Sequence, residues 1–289
     1  MVVYYGVNLL VTAVFTYIIT LTSFSADTIR QYINGDTTEF MLEIMEKVYS
    51  YSVEITVAIA AAVIPFMLLM RSADRKREYR LGLHEVYDDI PLGMFIPIAV
   101  MGAAACLTGN NLLYISGLLE SYTEEVAEAG VSMWQGQLIL ELIGYGIVVP
   151  IAEELTFRGL VQKRFREYAG PKTAIILTAF VFGMYHGSLA AGIYAGLLGL
   201  LMGYVYEKSK TIIAPIVFHA GANIISVIVS ESGIFDGIFA KGGAAFIIYV
   251  AAGAFATLWM LWLVQTRVDP KLLIPAAAGR KEEPESQNP

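Results

Sequence analysis

Long apolar runs separated by short clusters of charged residues make up most of this 289-residue chain. Most runs approach the roughly 20 residues that a helix needs to cross the hydrocarbon core of a bilayer. The pattern therefore predicts an all-α, polytopic membrane helix bundle with about eight transmembrane helices. We place these helices at 2–22, 52–70, 90–107, 136–162, 172–186, 188–206, 211–229 and 243–264.

The basic residues fall mainly on one side of this predicted topology. All but three of the 19 Lys and Arg residues lie in four segments, which are 71–89, 158–172, 207–210 and the tail after 264. The exceptions are Arg30, Lys47 and Lys241. Because cytoplasmic loops of membrane proteins are enriched in Lys and Arg, we predict that both termini are cytoplasmic.

The first apolar run begins at Val2 with no basic residues before it and is long enough to span a bilayer. We interpret it as a transmembrane helix and not as a signal peptide. Residues 1–264 are predicted to form a single transmembrane domain, and the polar tail 265–289 is typical of disorder. The basic segment 71–89 is predicted to be a loop, and the alternative is an amphipathic helix on the cytoplasmic leaflet.

Composition favours a membrane location and argues against several other classes of protein. Hydrophobic residues make up 56% of the chain and charged residues only 16%. The single cysteine, Cys106, excludes an internal disulfide and is expected to be a small buried side chain. No P-loop, dinucleotide fingerprint or long basic tract is present, so no nucleic-acid partner is predicted. Short loops and the lack of targeting signals favour a multi-pass protein of a prokaryotic plasma membrane.

Polar residues in the second half of the chain interrupt runs that are otherwise apolar. They are Glu153, Glu154, Arg158, His186, His219 and Asn223. A charged side chain inside hydrocarbon costs roughly 2.5–3.5 kcal/mol, so such residues are candidates for function. From a rise of 1.5 Å per residue, we estimate how deep each residue lies from the cytoplasmic end of its helix. The depths are roughly 15 Å for Glu153, 13 Å for His219, 20 Å for Asn223 and 21 Å for His186. These side chains can therefore meet in one layer of the bundle.

The spacing of these residues suggests how they face each other. Adjacent residues on a helix point about 100° apart, so Glu153 and Glu154 cannot share one role. Arg158 follows Glu154 by four residues and can pair with it, which leaves Glu153 facing the histidines. The same spacing places His219 and Asn223 on one helix face.

Two further features predict how the surrounding helices pack. Pro150 lacks the N–H that would pair with the carbonyl of Gly146, so we expect a bend beside the two glutamates. Small residues recur on one face of the sixth run and let a neighbouring helix approach closely. They are Gly192, Gly196, Gly199 and Gly203.

Taken in order, these motifs resemble those of the CPBP intramembrane proteases. They are Glu153-Glu154-x-x-x-Arg158, Phe182-x-x-x-His186 and His219-x-x-x-Asn223. That group includes the type II CAAX prenyl endopeptidases and the bacterial Abi proteins of bacteriocin-immunity type. The resemblance covers a core of about 135–230.

The resemblance implies an intramembrane endopeptidase that needs no cofactor and acts on a membrane-bound or lipidated peptide or protein in its lipid surroundings. Glu153 and His186 would then activate a water molecule. His219 and Asn223 would form the oxyanion hole, and Glu154 and Arg158 would be a supporting pair.

Other functions remain open at the level of the residues. Glu153, His186 and His219 could supply the two histidines and one glutamate of a zinc hydrolase, although the HExxH helix is absent. A protein that is not a protease could use the same residues as a proton relay or to hold a binding surface for a partner. A transporter would be favoured by an inverted repeat or by paired broken helices, and the sequence shows neither.

Overall fold

The computed structural model describes residues 2–33, 37–83, 85–116, 137–232 and 243–274. Helices make up nearly all of this part of the chain, so the predicted all-α polytopic bundle is confirmed. The elements are α1 (Val2–Ser23), α2 (Ala26–Ile33), α3 (Thr37–Ser50), α4 (Ser52–Arg80), β1 (Val86–Tyr87), α5 (Phe95–Ile115), α6 (Leu138–Ile143), α7 (Val149–Thr156), α8 (Lys163–Tyr185), α9 (Leu189–Ser209), α10 (Ile213–Ser232), α11 (Gly243–Arg267) and β2 (Leu272–Ile274).

Within the described ranges, six helices are long and apolar enough to cross a membrane, namely α1, α4, α5, α9, α10 and α11. The predicted span 136–162 is helical from Leu138 but contains two wider π-helical segments, Gly144–Val148 and Phe157–Gln162. The predicted span 172–186 lies in α8 after a break at Gly170, which has a φ of 74°. The total of eight spans therefore stays a prediction.

Ion pairs join several helices at the end of the bundle where the basic residues lie. They connect α4 to α8, α8 to α9, and α9 to the segment after α11. The pairs are Arg77–Glu167 at 2.7 Å, Lys163–Glu78 at 2.6 Å, Arg166–Glu207 at 3.4 Å and Lys208–Asp269 at 3.5 Å. We call this the basic end, and it is the end that we predict to be cytoplasmic.

The prediction of a loop over 71–89 is wrong for its first ten residues, because α4 continues to Arg80. Arg, Lys and Glu are good helix formers, so the helix does not end where the apolar run ends. The alternative of a helix on the leaflet surface does not describe 71–80 either, because this stretch is a straight continuation of α4 that pairs with α8.

A two-stranded antiparallel sheet forms at the basic end and includes residues of the predicted tail. Val86 pairs with Ile274, and Tyr87 pairs with Leu272. The prediction of disorder is therefore wrong for 265–267, which end α11, and for 272–274, where a short apolar run pairs with β1. Residues 275–289 of the tail lie outside the described residues.

Glycines allow the close helix contacts that hold the centre of the bundle. A Cβ on Gly102 of α5 would overlap the carbonyl oxygen of Phe218 on α10, so these backbones touch directly. On the predicted glycine face of α9, a Cβ on Gly199 would lie 3.2 Å from the Cα of Ala179 on α8. The expected close approach of a neighbouring helix is therefore confirmed. Cys106, on α5, is free and fully buried in this core, as expected.

Candidate active site

A fully buried ion pair between Glu154 and Arg158 lies at the centre of the candidate site. The Nη1 atom of Arg158 donates to Oε1 of Glu154 at 2.6 Å, and both side chains have 0% exposure. The Nη2 atom donates to the carbonyl of Gly199 at 3.0 Å, and the guanidinium carbon lies 4.8 Å from the centre of the Phe182 ring. The arginine charge is thus compensated on three sides, which a charge without water requires.

His219 connects this ion pair to the second glutamate. Its Nδ1 atom lies 2.9 Å from Oε1 of Glu154, and its Nε2 atom lies 3.8 Å from Oε2 of Glu153. Glu154 thus contacts Arg158 and also His219, whereas the spacing along the helix had left only Glu153 to face the histidines. The π-helical segment Phe157–Gln162 begins directly after α7 and contains Arg158.

These four side chains form a compact charge cluster with little contact with solvent. The exposed fractions are 6% for Glu153, 0% for Glu154, 0% for Arg158 and 6% for His219. With both glutamates ionised and the arginine protonated, the cluster carries one net negative charge. One proton makes it neutral, which a buried environment favours. Glu153 Oε2 and His219 Nε2 face each other but lie 3.8 Å apart, which is too far for a direct hydrogen bond.

His186 lies just after the end of α8 and forms the open side of the site. Its Nδ1 atom lies 2.7 Å from the carbonyl oxygen of Phe182. Because a carbonyl only accepts hydrogen bonds, Nδ1 must carry the hydrogen, and the Nε2 atom of the neutral ring is left as an acceptor. The side chain of His186 is exposed. Among the described residues, no direct hydrogen bond or ion pair joins it to Glu153. The Phe182 ring packs edge-on against the imidazoles of His186, at 4.7 Å, and His219, at 5.9 Å.

Asn223 supports the helix that carries the glutamates. In the π-helical segment Gly144–Val148, backbone N–H groups reach five residues back instead of four. The carbonyl opposite Pro150 is therefore that of Tyr145, and not that of Gly146 as predicted. The Nδ2 atom of Asn223 donates to this carbonyl at 2.8 Å. The Asn223 side chain, one turn from His219, thus supplies the N–H donor that Pro150 lacks.

Two tyrosines that the sequence interpretation missed lie beside the site. Tyr185 packs edge-on against His186, with ring centres 5.7 Å apart, and Tyr4 of α1 packs edge-on against Tyr185 at 5.2 Å. Tyr4 is buried, and Tyr185 is partly buried. Tyr185 directly precedes His186, and this position could have identified it as a neighbour of the site from the sequence. Nothing in the sequence around Tyr4 indicated this contact.

The three candidate metal ligands do not fit a zinc site. Among the residues that the structure describes, no group of three His, Cys, Asp or Glu side chains is arranged to hold a metal ion. We therefore derive no step through a metal.

Comparison with known proteins identifies the segment that contains these motifs. Residues 135–225 match the model of the family described as type II CAAX prenyl endopeptidase Rce1-like, a family of membrane proteases. The matched segment includes Glu153, Glu154, Arg158, His186, His219 and Asn223. Searches of curated proteins and of solved structures found no match. The resemblance inferred from the three motifs is confirmed over this segment.

Proposed function

We propose, from the match of residues 135–225 to the type II CAAX prenyl endopeptidase Rce1-like family model, that this chain is an intramembrane endopeptidase. Its substrate would be a membrane-bound or lipidated peptide or protein, and its location a prokaryotic plasma membrane. The observation that carries the proposal is the buried cluster of Glu153, Glu154, Arg158 and His219 beside the exposed His186.

Water is the nucleophile in this mechanism. A carboxylate of Glu153 and the free Nε2 of His186 are both acceptors, so together they can take hydrogen bonds from the two hydrogens of one water molecule. Glu153 removes one proton as the water oxygen adds to the carbonyl carbon of the scissile bond. His186 holds the other hydrogen and fixes the direction of attack.

The oxyanion of the tetrahedral intermediate would be stabilised from α10. The amide of Asn223 has two N–H groups, and the bond to Tyr145 uses only one of them. The second can donate to the oxyanion, together with the Nε2 N–H that His219 carries in its imidazolium form, since its Nδ1 N–H is already bonded to Glu154. When the carbon–nitrogen bond breaks, the proton held by Glu153 passes to the leaving amine, and the new carboxylic acid gives its remaining proton to Nε2 of His186 and leaves as a carboxylate.

Glu154 and Arg158 would act as positioning residues. The bond from Glu154 fixes the ring of His219, and Arg158 fixes Glu154 through a second bond to the same oxygen. This arrangement holds the oxyanion donors in place before the substrate binds, which reduces the reorganisation needed in the transition state.

A survey of new peptide termini in membranes tests the proposal. Mass spectrometry would compare cells that express the wild type, Glu153→Gln and Glu141→Gln at matched levels. Glu141 is also fully buried, and it lies in the same helical run about 18 Å from Glu153 along the axis. We expect termini that appear with the wild type and Glu141→Gln but not with Glu153→Gln. Identical profiles from all three cell lines, with the cellular phenotype retained, would instead favour a protein that binds a partner without cleaving it.

A further inference from the structure

A cavity of about 400 Å³ opens at the basic end, between α4, β1, α8 and α9, and away from the candidate active site. Its charged lining consists of five basic and three acidic side chains, a formal balance of +2. They are Arg71, Arg75, Lys163, Arg166, Lys210, Glu78, Glu85 and Glu207. The cavity therefore attracts anions.

Three of the five cations are already neutralised by neighbours. Lys163 pairs with Glu78 at 2.6 Å, and Lys210 pairs with Glu207 at 3.1 Å. Arg166 lies 3.4 Å from Glu207 and 3.6 Å from Glu85. The excess positive charge thus belongs to the other two arginines of the lining, Arg71 and Arg75.

Neither Arg71 nor Arg75 has a hydrogen bond or an ion pair with any residue in the described ranges. Arg75 is exposed, so water can solvate it. Arg71 is different, because its Nη1 atom is buried and has no acceptor. A buried donor without a partner is costly, and a charged one is more costly still.

The chain makes room for this guanidinium at Gly159, the residue after Arg158. A Cβ on Gly159 would lie 3.0 Å from the Nη1 atom of Arg71. The head group of Arg71 is thus held against a helix that passes both this cavity and the candidate active site. Its location is fixed by packing, while its charge lacks a protein partner.

We propose that this cavity binds a phosphate group and that Arg71 is its principal ligand. The planar guanidinium fork matches two phosphate oxygens, and Arg75 adds a second positive charge at the open side. The cavity lies where the spanning helices end, at the level expected for lipid headgroups. The phosphate could belong to an anionic phospholipid or be free in solution. This site does not depend on the proposed protease activity.

Binding of lipid to the purified full-length protein tests the proposal. Native mass spectrometry would titrate phosphatidylglycerol into the wild type, Arg71→Gln and Arg80→Gln, with zwitterionic phosphatidylcholine, whose net charge is zero, as the comparison. Arg80 also lies on α4 but not in the cavity lining, so its substitution removes the same charge nearby. We expect Arg71→Gln to weaken phosphatidylglycerol binding about tenfold or more and Arg80→Gln to leave it within about twofold.

A second titration, with inorganic phosphate and the melting temperature as the readout, separates the two sources. A phosphate-dependent increase in melting temperature that Arg71→Gln abolishes, without selective lipid binding, would identify free phosphate as the ligand. Selective lipid binding without the increase would identify the headgroup. Equal behaviour of Arg71→Gln, Arg80→Gln and the wild type with both probes would overturn the proposal.

Should Arg71→Gln fail to fold, Arg75→Gln carries the test, because Arg75 is exposed and its replacement leaves the packing intact. We expect it to weaken binding of the same probe by about threefold or more. Binding equal to that of the wild type would then refute the site.

Discussion

The ion pair of Glu154 and Arg158 is the residue contact on which the rest of the site depends. Two opposite charges without solvent stabilise each other, but either one alone is an uncompensated buried charge. Because Oε1 of Glu154 contacts both Arg158 and His219, loss of the arginine side chain would also change the position of His219.

Replacing Arg158 by methionine should therefore destabilise the protein by about 3–5 kcal/mol. Arg80→Met is the matched control, because Arg80 is an exposed arginine at the end of α4. We expect the control to change the free energy of unfolding by less than about 1 kcal/mol. Thermal or denaturant unfolding in detergent measures both, and equal effects of the two substitutions would contradict the assignment.

Tyr4 allows a separate test of how the site is positioned. Tyr4→Phe keeps the ring contact with Tyr185 and removes only the hydroxyl group. We expect the cleavage rate to fall about three- to tenfold without loss of folded protein. Tyr5→Phe is the control, because Tyr5 also packs near Tyr185 but is 54% exposed. Equal rates for the wild type and Tyr4→Phe would show that the hydroxyl does not act on the site.

At this scale the sequence predicts contacts within one helix much better than contacts between helices. Glu154 and Arg158 are four residues apart on a helix, so their pairing follows from helix geometry alone. The bond between Glu154 and His219 joins residues 65 positions apart, and its length depends on how α7 and α10 pack. Tyr4 lies still farther along the chain from the residues it contacts, so spacing could not place it at the site.

Among the elements, α5 and α10 determine the position of His219. A Cβ on Gly102 would meet the carbonyl of the residue directly before that histidine. Gly102→Ala should therefore destabilise the protein by about 1–3 kcal/mol, although alanine is the better helix former.

Gly6→Ala is the matched control for Gly102→Ala, because a Cβ there has no atom within 4 Å. We expect this substitution to leave the melting temperature unchanged or slightly higher. A melting temperature of Gly102→Ala at or above that of the wild type would show that α5 and α10 do not need this close contact.

Element boundaries were harder to predict than element types. The bend at Pro150 was expected, but the π-helical turn before it moves the affected carbonyl by one residue to Tyr145. Hydropathy also ended α4 at residue 70, whereas ion pairs with α8 extend it to Arg80. Both differences come from contacts with other helices, which a local pattern does not contain.

For the whole molecule, the central prediction is the orientation in the membrane. Ion pairs gather the basic ends of α4, α8 and α9 and the segment after α11 at one end, in agreement with the distribution of Lys and Arg along the sequence. If that end is cytoplasmic, an impermeant maleimide should label Leu42→Cys in intact cells, and Arg80→Cys only after permeabilisation. Cys106 is buried and gives little background. Labelling in the opposite order would reverse the proposed topology.

The most direct test of the account is the rate at which purified Glu153→Gln cleaves a substrate found in the survey of termini. The substitution keeps the shape of the side chain but removes the base that activates water. In a buffer that contains EDTA, we predict full activity for the wild type and for Glu141→Gln, and a loss of at least about 100-fold for Glu153→Gln. A rate for Glu153→Gln within about threefold of the wild type, with the protein folded, would contradict the proposed mechanism.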